Sequence, residues 1–339
     1  MKRGKRAERQ TTFQASAPVR LDFAGGWTDV APFSTREGGV VVNAAIALSV
    51  HVELKVGGPR IKLAALDLGE ELECADSGGL VMDGRLTLHK AALRMFPVQT
   101  PCTLTTKSDV PPGSGLGSSG ALDVALVAAL ALARGDRLPE REIAEQAVYL
   151  ETVEAGIPGG RQDQFGAALG GFHRLSFRDP DVGIEPITLD SAFAATLARH
   201  TLLCYTGRSR ISGSTIARVM GAYERAEQGV VSALRAIRET AERMAEALRS
   251  ADLERVGKLL SENWRHQQAL DPEMRTSTMA SLEDAVATAG SLGGKAAGSG
   301  AGGCMFFVVR DPVAGAAAAR DAGATVLPVS WAGEGVRAW

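Results

Sequence analysis

Cysteine is scarce in this chain. Its four cysteines, Cys74, Cys102, Cys204 and Cys304, lie far apart among 339 residues and lack the close spacing of a thiolate metal site. Reduced, mostly buried thiols are therefore expected. Net charge is close to absent at −2, which leaves no broad basic field for a nucleic acid or a membrane surface. No apolar run approaches the length of a membrane span. The basic stretch Met1–Arg6 is followed by the polar Ala7–Thr12, not by the apolar run that a signal peptide needs. Residues 1–11 are expected to be a disordered basic tail. Repeats and low-complexity segments are missing too. What is present, 45% apolar and 22% charged residues, suits a cytoplasmic globular enzyme, and the length allows two domains with a core each.

The apolar pattern predicts strands over Thr12–Phe23, Gly39–Ile46 and Ser49–Val56, a helix over Leu86–Phe96 and a strand over Cys102–Ser108. Helices are expected at Ala121–Ala133 and from Glu140 to about Ala155, with a strand at Phe172–Phe177. The polar, proline-containing stretch Arg178–Pro186 is the expected boundary between an N-terminal domain, 12–178, and a C-terminal domain, 187–339. Beyond it come a strand at Thr201–Tyr205, charged alanine-rich helices over Ala222–Leu270 and a strand at Ala301–Val309. Strands and helices are mixed rather than strictly alternating, so the fold class expected is α+β, not a doubly wound sheet.

The most informative stretch is Pro111-Pro112-Gly113-Ser114-Gly115-Leu116-Gly117-Ser118-Ser119-Gly120, with four glycines and three serines in ten residues. Glycines let a backbone turn and approach a ligand closely. A helix follows at once and points its unpaired N–H groups and positive dipole end back at the loop, which suits a phosphate. No Lys-Ser/Thr closes the loop, so it is not a Walker A sequence. The residues alone also allow a plainer use, a flexible turn with Ser118 or Ser119 capping the helix.

Two further stretches settle the choice. Ala17-Pro18-Val19-Arg20-Leu21-Asp22-Phe23-Ala24-Gly25-Gly26-Trp27-Thr28-Asp29 and the glycine-rich Gly293–Gly303 flank the loop in order. Together the three resemble the three motifs of the GHMP kinases, the superfamily of galactokinase, homoserine kinase, mevalonate kinase and phosphomevalonate kinase. They span residues 17 to 303. The resemblance implies a two-domain GHMP kinase fold, with an N-terminal domain like domain 2 of ribosomal protein S5 and a ferredoxin-like C-terminal domain. It also implies ATP and Mg²⁺ as cofactors and an active site between the domains.

The resemblance also assigns roles. Pro112, Gly113, Ser114, Gly115, Leu116, Gly117, Ser118 and Ser119 would hold the nucleotide, with Lys107 near its phosphates. Glu151 resembles the metal-binding Glu of galactokinase-like members, with Ser119 as its partner. Asp163 resembles their general base, and Arg20 stands where the family has an Arg beside it, able to offset transition-state charge. By residue type alone, Glu151 could instead be a solvated helix charge, a use to which Glu154 is equally entitled, and Asp163 a turn residue or helix cap. Arg20 lies in an apolar strand, where a charge is costly unless paired.

For the acceptor, Gly25, Gly26, Trp27, Thr28 and Asp29 stand where galactokinases have Gly-Glu-His-Thr-Asp, and Asp29 resembles the carboxylate that binds sugar hydroxyls. The missing Glu and His turn the resemblance from galactose towards kinases of D-glycero-D-manno-heptose 7-phosphate and the kinase half of bacterial fucokinases. That group is also matched by Gly160-Arg161-Gln162-Asp163-Gln164 and by Tyr205–Arg210. Arg208 and Arg210 could reach a substrate phosphate or form a solvated pair. Gly298 and Gly300 would shape the site, and Lys295 could, like Lys107, meet nucleotide phosphates or be a simple loop charge. The expected partners are a sugar or sugar phosphate, and a second copy of the chain in a homodimer; no nucleic acid and no membrane are expected.

Overall fold

The computed structural model describes residues 11–97, 101–207 and 213–339. The expected basic tail falls, up to residue 10, outside the described residues. A mixed eight-stranded sheet contains β1 (Thr11–Ala24), β2 (Gly39–Val56), β3 (Ile61–Ala65), β4 (Glu70–Cys74), β5 (Cys102–Ser108), β6 (Phe172–Arg178) and β7 (Asp181–Pro186). A second, four-stranded sheet holds β8 (Thr201–Tyr205), β9 (Ser291–Ala296), β10 (Cys304–Val309) and β11 (Thr325–Leu327). Its order, β11-β8-β10-β9, with helices between β8 and β9 and between β10 and β11, is that of a ferredoxin-like unit. The last strand, β12 (Arg337–Ala338), returns to the first sheet and pairs with β1.

The long strands show why the sequence reads as it does. In β2 every residue from Gly39 to Ile46 is buried, whereas Val50, Val52 and Leu54 alternate with more exposed neighbours. The helices Ser118–Ala133 and Gln228–Arg249 both pack against β2, and a continuous buried run is that of a strand covered on both faces. Farther along, one face meets solvent and the ordinary two-residue alternation returns. Strands expected as two, Gly39–Ile46 and Ser49–Val56, are one strand with a bulge at Ala47 and Leu48, where the β1 register jumps from Val19↔Ile46 to Pro18↔Ser49. The helix Ser118–Ala133 is apolar on all sides because eleven of its residues are buried: Gly120, Ala121 and the whole run Asp123–Ala131.

Two expectations need correction. Arg178–Pro186 is not a connection between domains: it makes the turn into β7, which pairs with β6 throughout Asp181–Pro186. Proline and polar residues there mark an edge hairpin. The cores are not one per domain either. The larger apolar cluster runs from the first sheet into Leu203, Cys304, Phe306 and Val308 of the second and into Ala297 just after β9, and Phe23 of β1 meets Phe306 of β10 edge to face at 5.4 Å. Conversely, Trp27 and Phe33 from the N-terminal part sit in the smaller cluster with β8, β10 and their helices.

A shared core couples the two sheets. Phe23→Ala and Phe306→Ala, each removing a ring with 0% exposure, should cost about 3–5 kcal/mol. Both should shift one common urea transition; two transitions, with each substitution moving only its own, would show independent domains.

Candidate functional site

The three glycine-rich stretches meet in one cleft of about 360 Å³. Arg20, on β1, is the residue on which they converge. Its backbone N–H donates to the Leu116 carbonyl at 2.9 Å. Its guanidinium donates through Nη1 to the carbonyls of Gly115, at 2.8 Å, and Ala297, at 3.0 Å. Through Nε (2.8 Å) and Nη2 (2.6 Å) it reaches Oδ1 of Asp163. Asp163 lies in the first turn of the helix Gln162–Leu169, where a carboxylate meets the positive helix end. Gly117 makes this pair possible: a Cβ there would lie 3.1 Å from the Asp163 carboxyl carbon and 3.2 Å from the Arg20 guanidinium.

The loop itself is a concave backbone seat. Gly113, Gly115 and Gly117 have φ of 70°, 74° and 75°, alternating with Ser114 and Leu116 as in an anion-binding nest. Gly117 is the helix N-cap and no side chain caps the helix, so neither Ser118 nor Ser119 serves the plainer capping use. Instead the Ser119 hydroxyl donates to Oε1 of Glu151 at 2.7 Å. The predicted helix ending near Ala155 changes character here: Leu150–Glu154 forms a π turn, which inserts a residue into the helical cycle. Glu151 consequently lines the cleft while Glu154 does not. Gln164 donates to its other oxygen at 2.6 Å, and burial pushes the Glu151 carboxyl above its ordinary pKa, aided by the nearby charge of Asp163.

Among the remaining expected residues, Gly113, Gly115, Gly117, Ser118, Gly26, Trp27, Asp29 and Gly298 line the cleft. Others serve it from behind. Leu116 is core. Ser114 is buried and its carbonyl accepts from the Cys304 N–H at 2.6 Å. Gly25 and Thr28 hold the turn, Gly25 by donating to Asn263 at 3.0 Å and Thr28 through its hydroxyl to the Gly25 carbonyl at 2.7 Å. Gly300 packs towards Met274 and Trp264. Pro112 and Lys107 are not in the cleft lining; Lys107 is exposed on β5 opposite His51, because alternation turns it to the solvent face. Arg208 and Arg210 lie outside the described residues.

Lys295 corrects another expectation. It is no loop charge but a residue of β9 with 0% exposure, donating to Oδ2 of Asp22 at 2.9 Å. Asp22 and Gln162 also line the cleft and were not singled out from the sequence. Asp22 carried the same signal as Arg20, a charge inside an apolar strand.

Asp29 is buried and accepts the backbone N–H groups of Arg161 and Gln162 at 2.8 and 3.0 Å. Burial nevertheless outweighs those bonds and raises its pKa from 3.8 to about 6. The raised value means that ionised Asp29 destabilises the fold, a penalty absent below the unfolded value and complete above the folded one. Asp29→Asn, which keeps an acceptor oxygen, should therefore stabilise the free protein by roughly 1 kcal/mol at pH 4.5 and roughly 3 kcal/mol at pH 7.5. Thermal unfolding at the two pH values checks this; a pH-independent difference would refute it.

This geometry has relatives. Residues 85–171 match the GHMP kinases N terminal domain, and residues 244–326 match the GHMP kinases C terminal domain. The chain is similar to a D-glycero-alpha-D-manno-heptose 7-phosphate kinase of Campylobacter jejuni, with 31% identity over 97% of this chain and 99% of the relative. It is also similar to a bifunctional fucokinase/GDP-fucose pyrophosphorylase of Arabidopsis thaliana, 29% identical over 87% of this chain but only 29% of that longer protein. Among solved structures, a D-glycero-D-manno-heptose 1-phosphate kinase from Bacteroides thetaiotaomicron is similar with a TM-score of 0.79 and 25% identity, covering 96% of this chain and 98% of the other. No helix among the described residues is long and apolar enough to cross a membrane. A nest-like phosphate loop, a cleft between an eight-stranded and a ferredoxin-like sheet, and this full-length similarity have one conclusion: the chain belongs to the GHMP kinases and is an ATP-dependent kinase of that family.

Proposed function

We propose that this protein transfers the γ-phosphoryl group of ATP to the anomeric hydroxyl of a sugar. The acceptor is D-glycero-D-manno-heptose 7-phosphate or a related heptose or mannose, and the 1-phosphate formed feeds nucleotide-sugar synthesis in the cytoplasm. The observation that carries the reading is the pairing of Asp163 with Arg20 across the phosphate loop from Ser119 and Glu151. The sugar is supported by the heptose kinase relative and by Gly25-Gly26-Trp27, which replaces the Gly-Glu-His of galactokinases.

Ser119 and Glu151 offer an adjacent hydroxyl and carboxylate, hard oxygen donors of the kind Mg²⁺ takes alongside nucleotide phosphates. Ser119 and Glu151 would hold the ion, which would supply neutralisation of the negative charge developing on the phosphoryl oxygens. The loop N–H groups of residues 113–119 seat the phosphates, and Asp29 accepts sugar hydroxyls. Both Arg20 nitrogens grip Oδ1 of Asp163, which leaves Oδ2 for the proton of the attacking hydroxyl. As that oxygen bonds to the γ-phosphorus, the bond to the ADP oxygen breaks and the proton passes to Asp163.

Asp163→Asn should lower kcat about 10²–10⁴-fold with nucleotide and sugar binding retained; a variant with more than about a tenth of wild-type kcat would remove Asp163 from the role of base. Ser119→Ala and Glu151→Ala should each raise the magnesium concentration needed for half-maximal rate, and Glu154→Ala should not. Equal sensitivity of the Glu154 variant in the same titration would contradict the metal assignment. A coupled ADP-release assay should rank heptose 7-phosphate or mannose-type sugars first among heptoses, fucose, galactose and hexuronates. Galactose as the best acceptor would refute the subfamily reading, and fucose as the best would favour the fucokinase side of it.

A further inference from the structure

The cleft contains a second buried ion pair that the reaction above does not use. Asp22 follows Arg20 by two residues on β1 and so shares its side of the strand. Asp22 is 1% exposed and its partner Lys295 is fully buried. Lys295 donates to Oδ2 of Asp22 at 2.9 Å and to its backbone carbonyl at 2.7 Å. Such a pair is weak support for stability, because desolvating two charges offsets most of their attraction. Its arrangement in the cleft wall points to a ligand.

Oδ1 of Asp22 is buried and has no hydrogen-bond partner among the described residues, and the same holds for Oε1 of Gln162 and Nε1 of Trp27. All three residues line the cleft. Asp22 and Gln162 converge under Gly26: a Cβ there would sit 2.2 Å from Oδ2 of Asp22 and 3.0 Å from Nε2 of Gln162. The absence of a side chain at Gly26 is thus required by these two groups. Unpaired buried polar atoms are costly. Hydroxyl groups of a ligand satisfy both kinds, donating to Asp22 or Gln162 and accepting from Trp27.

We propose that Asp22, set in place by Lys295, is a second hydroxyl-binding carboxylate of the acceptor site, completed by Gln162 and Trp27. The cleft would then select a polyol that presents donors to two carboxylates, Asp22 and Asp29, rather than to one. This rests on the sugar-acceptor reading above. Lys295 is a positioning residue that touches no substrate.

The test compares Asp22→Asn, Lys295→Met and the double variant by calorimetric titration with D-glycero-D-manno-heptose 7-phosphate and, separately, with a non-hydrolysable ATP analogue. Asp22→Asn should weaken sugar binding about 10- to 100-fold, as expected for a lost charged hydrogen bond, and leave nucleotide binding within about twofold. Either single variant strands a buried charge or weakens its partner, so loss of stability is expected there. The double variant removes both charges and should recover thermal stability while keeping the sugar defect. Recovery of sugar affinity together with stability would mean a purely structural pair and overturn the proposal. Wild-type protein that binds the heptose phosphate but releases no ADP would sink the kinase reading and leave the subsite standing. Wild-type protein that binds no sugar of the acceptor panel would overturn both.

Discussion

A single buried guanidinium ties this molecule together. Arg20 donates to Gly115 in the phosphate loop, to Ala297 in the third glycine-rich stretch and to Asp163 at a helix start, while standing on β1, beside the central strand β2 of the larger sheet. A charge so enclosed persists only when its donors are satisfied. Every element that satisfies them is thereby fixed relative to β1. Arginine suits this place where lysine would not, because its planar fork reaches several acceptors in set directions.

Close backbone approach is the second constraint, and it follows from the first. For one guanidinium to touch both the loop and the third stretch, those two chains must lie against each other. They do: a Cβ at Gly298 would be 2.3 Å from the Gly115 carbonyl oxygen. The Cys304 N–H bonds to the Ser114 carbonyl on the same seam, and the shared core of Phe23 and Phe306 lies behind it. The cleft therefore forms where the two sheets and the glycine stretches meet along this seam, with polar side chains left in its lining.

Those polar groups have an energetic cost. Asp29 and Glu151 are both pushed towards their protonated forms by burial, and Asp22 and Gln162 leave acceptor atoms unpaired. A chain selected for stability alone would not gather carboxylates this way. Their gathering in the lining of one cleft marks a functional site rather than a stabilising element.

Much of this was legible in the sequence, and the reasons are local. Strand β5 and strand β8 were readable to the residue, because alternation and short apolar runs need no knowledge of neighbours. The turns of the glycine loop were readable because glycine tolerates the positive φ that Gly113, Gly115 and Gly117 adopt, whereas the reading of the loop as a phosphate seat came from its resemblance to the family motif. The use of Arg20 was foreshadowed by a charge in an apolar strand. By contrast, Glu151 and Glu154 are equivalent in sequence, and only the π turn at Leu150–Glu154 decides which one faces the cleft. Lys295 resembled a loop charge because nothing nearby in sequence announces Asp22, its partner from a strand far earlier in the chain. Arg178–Pro186 looked like a linker because an edge hairpin and a domain boundary use the same residues. Order along the chain thus determined the elements, the motifs and the chemistry that they can support. Which side chains meet, which charges are paired and where one core ends depended on long-range packing, since burial and pairing are properties of neighbours that sequence distance does not define.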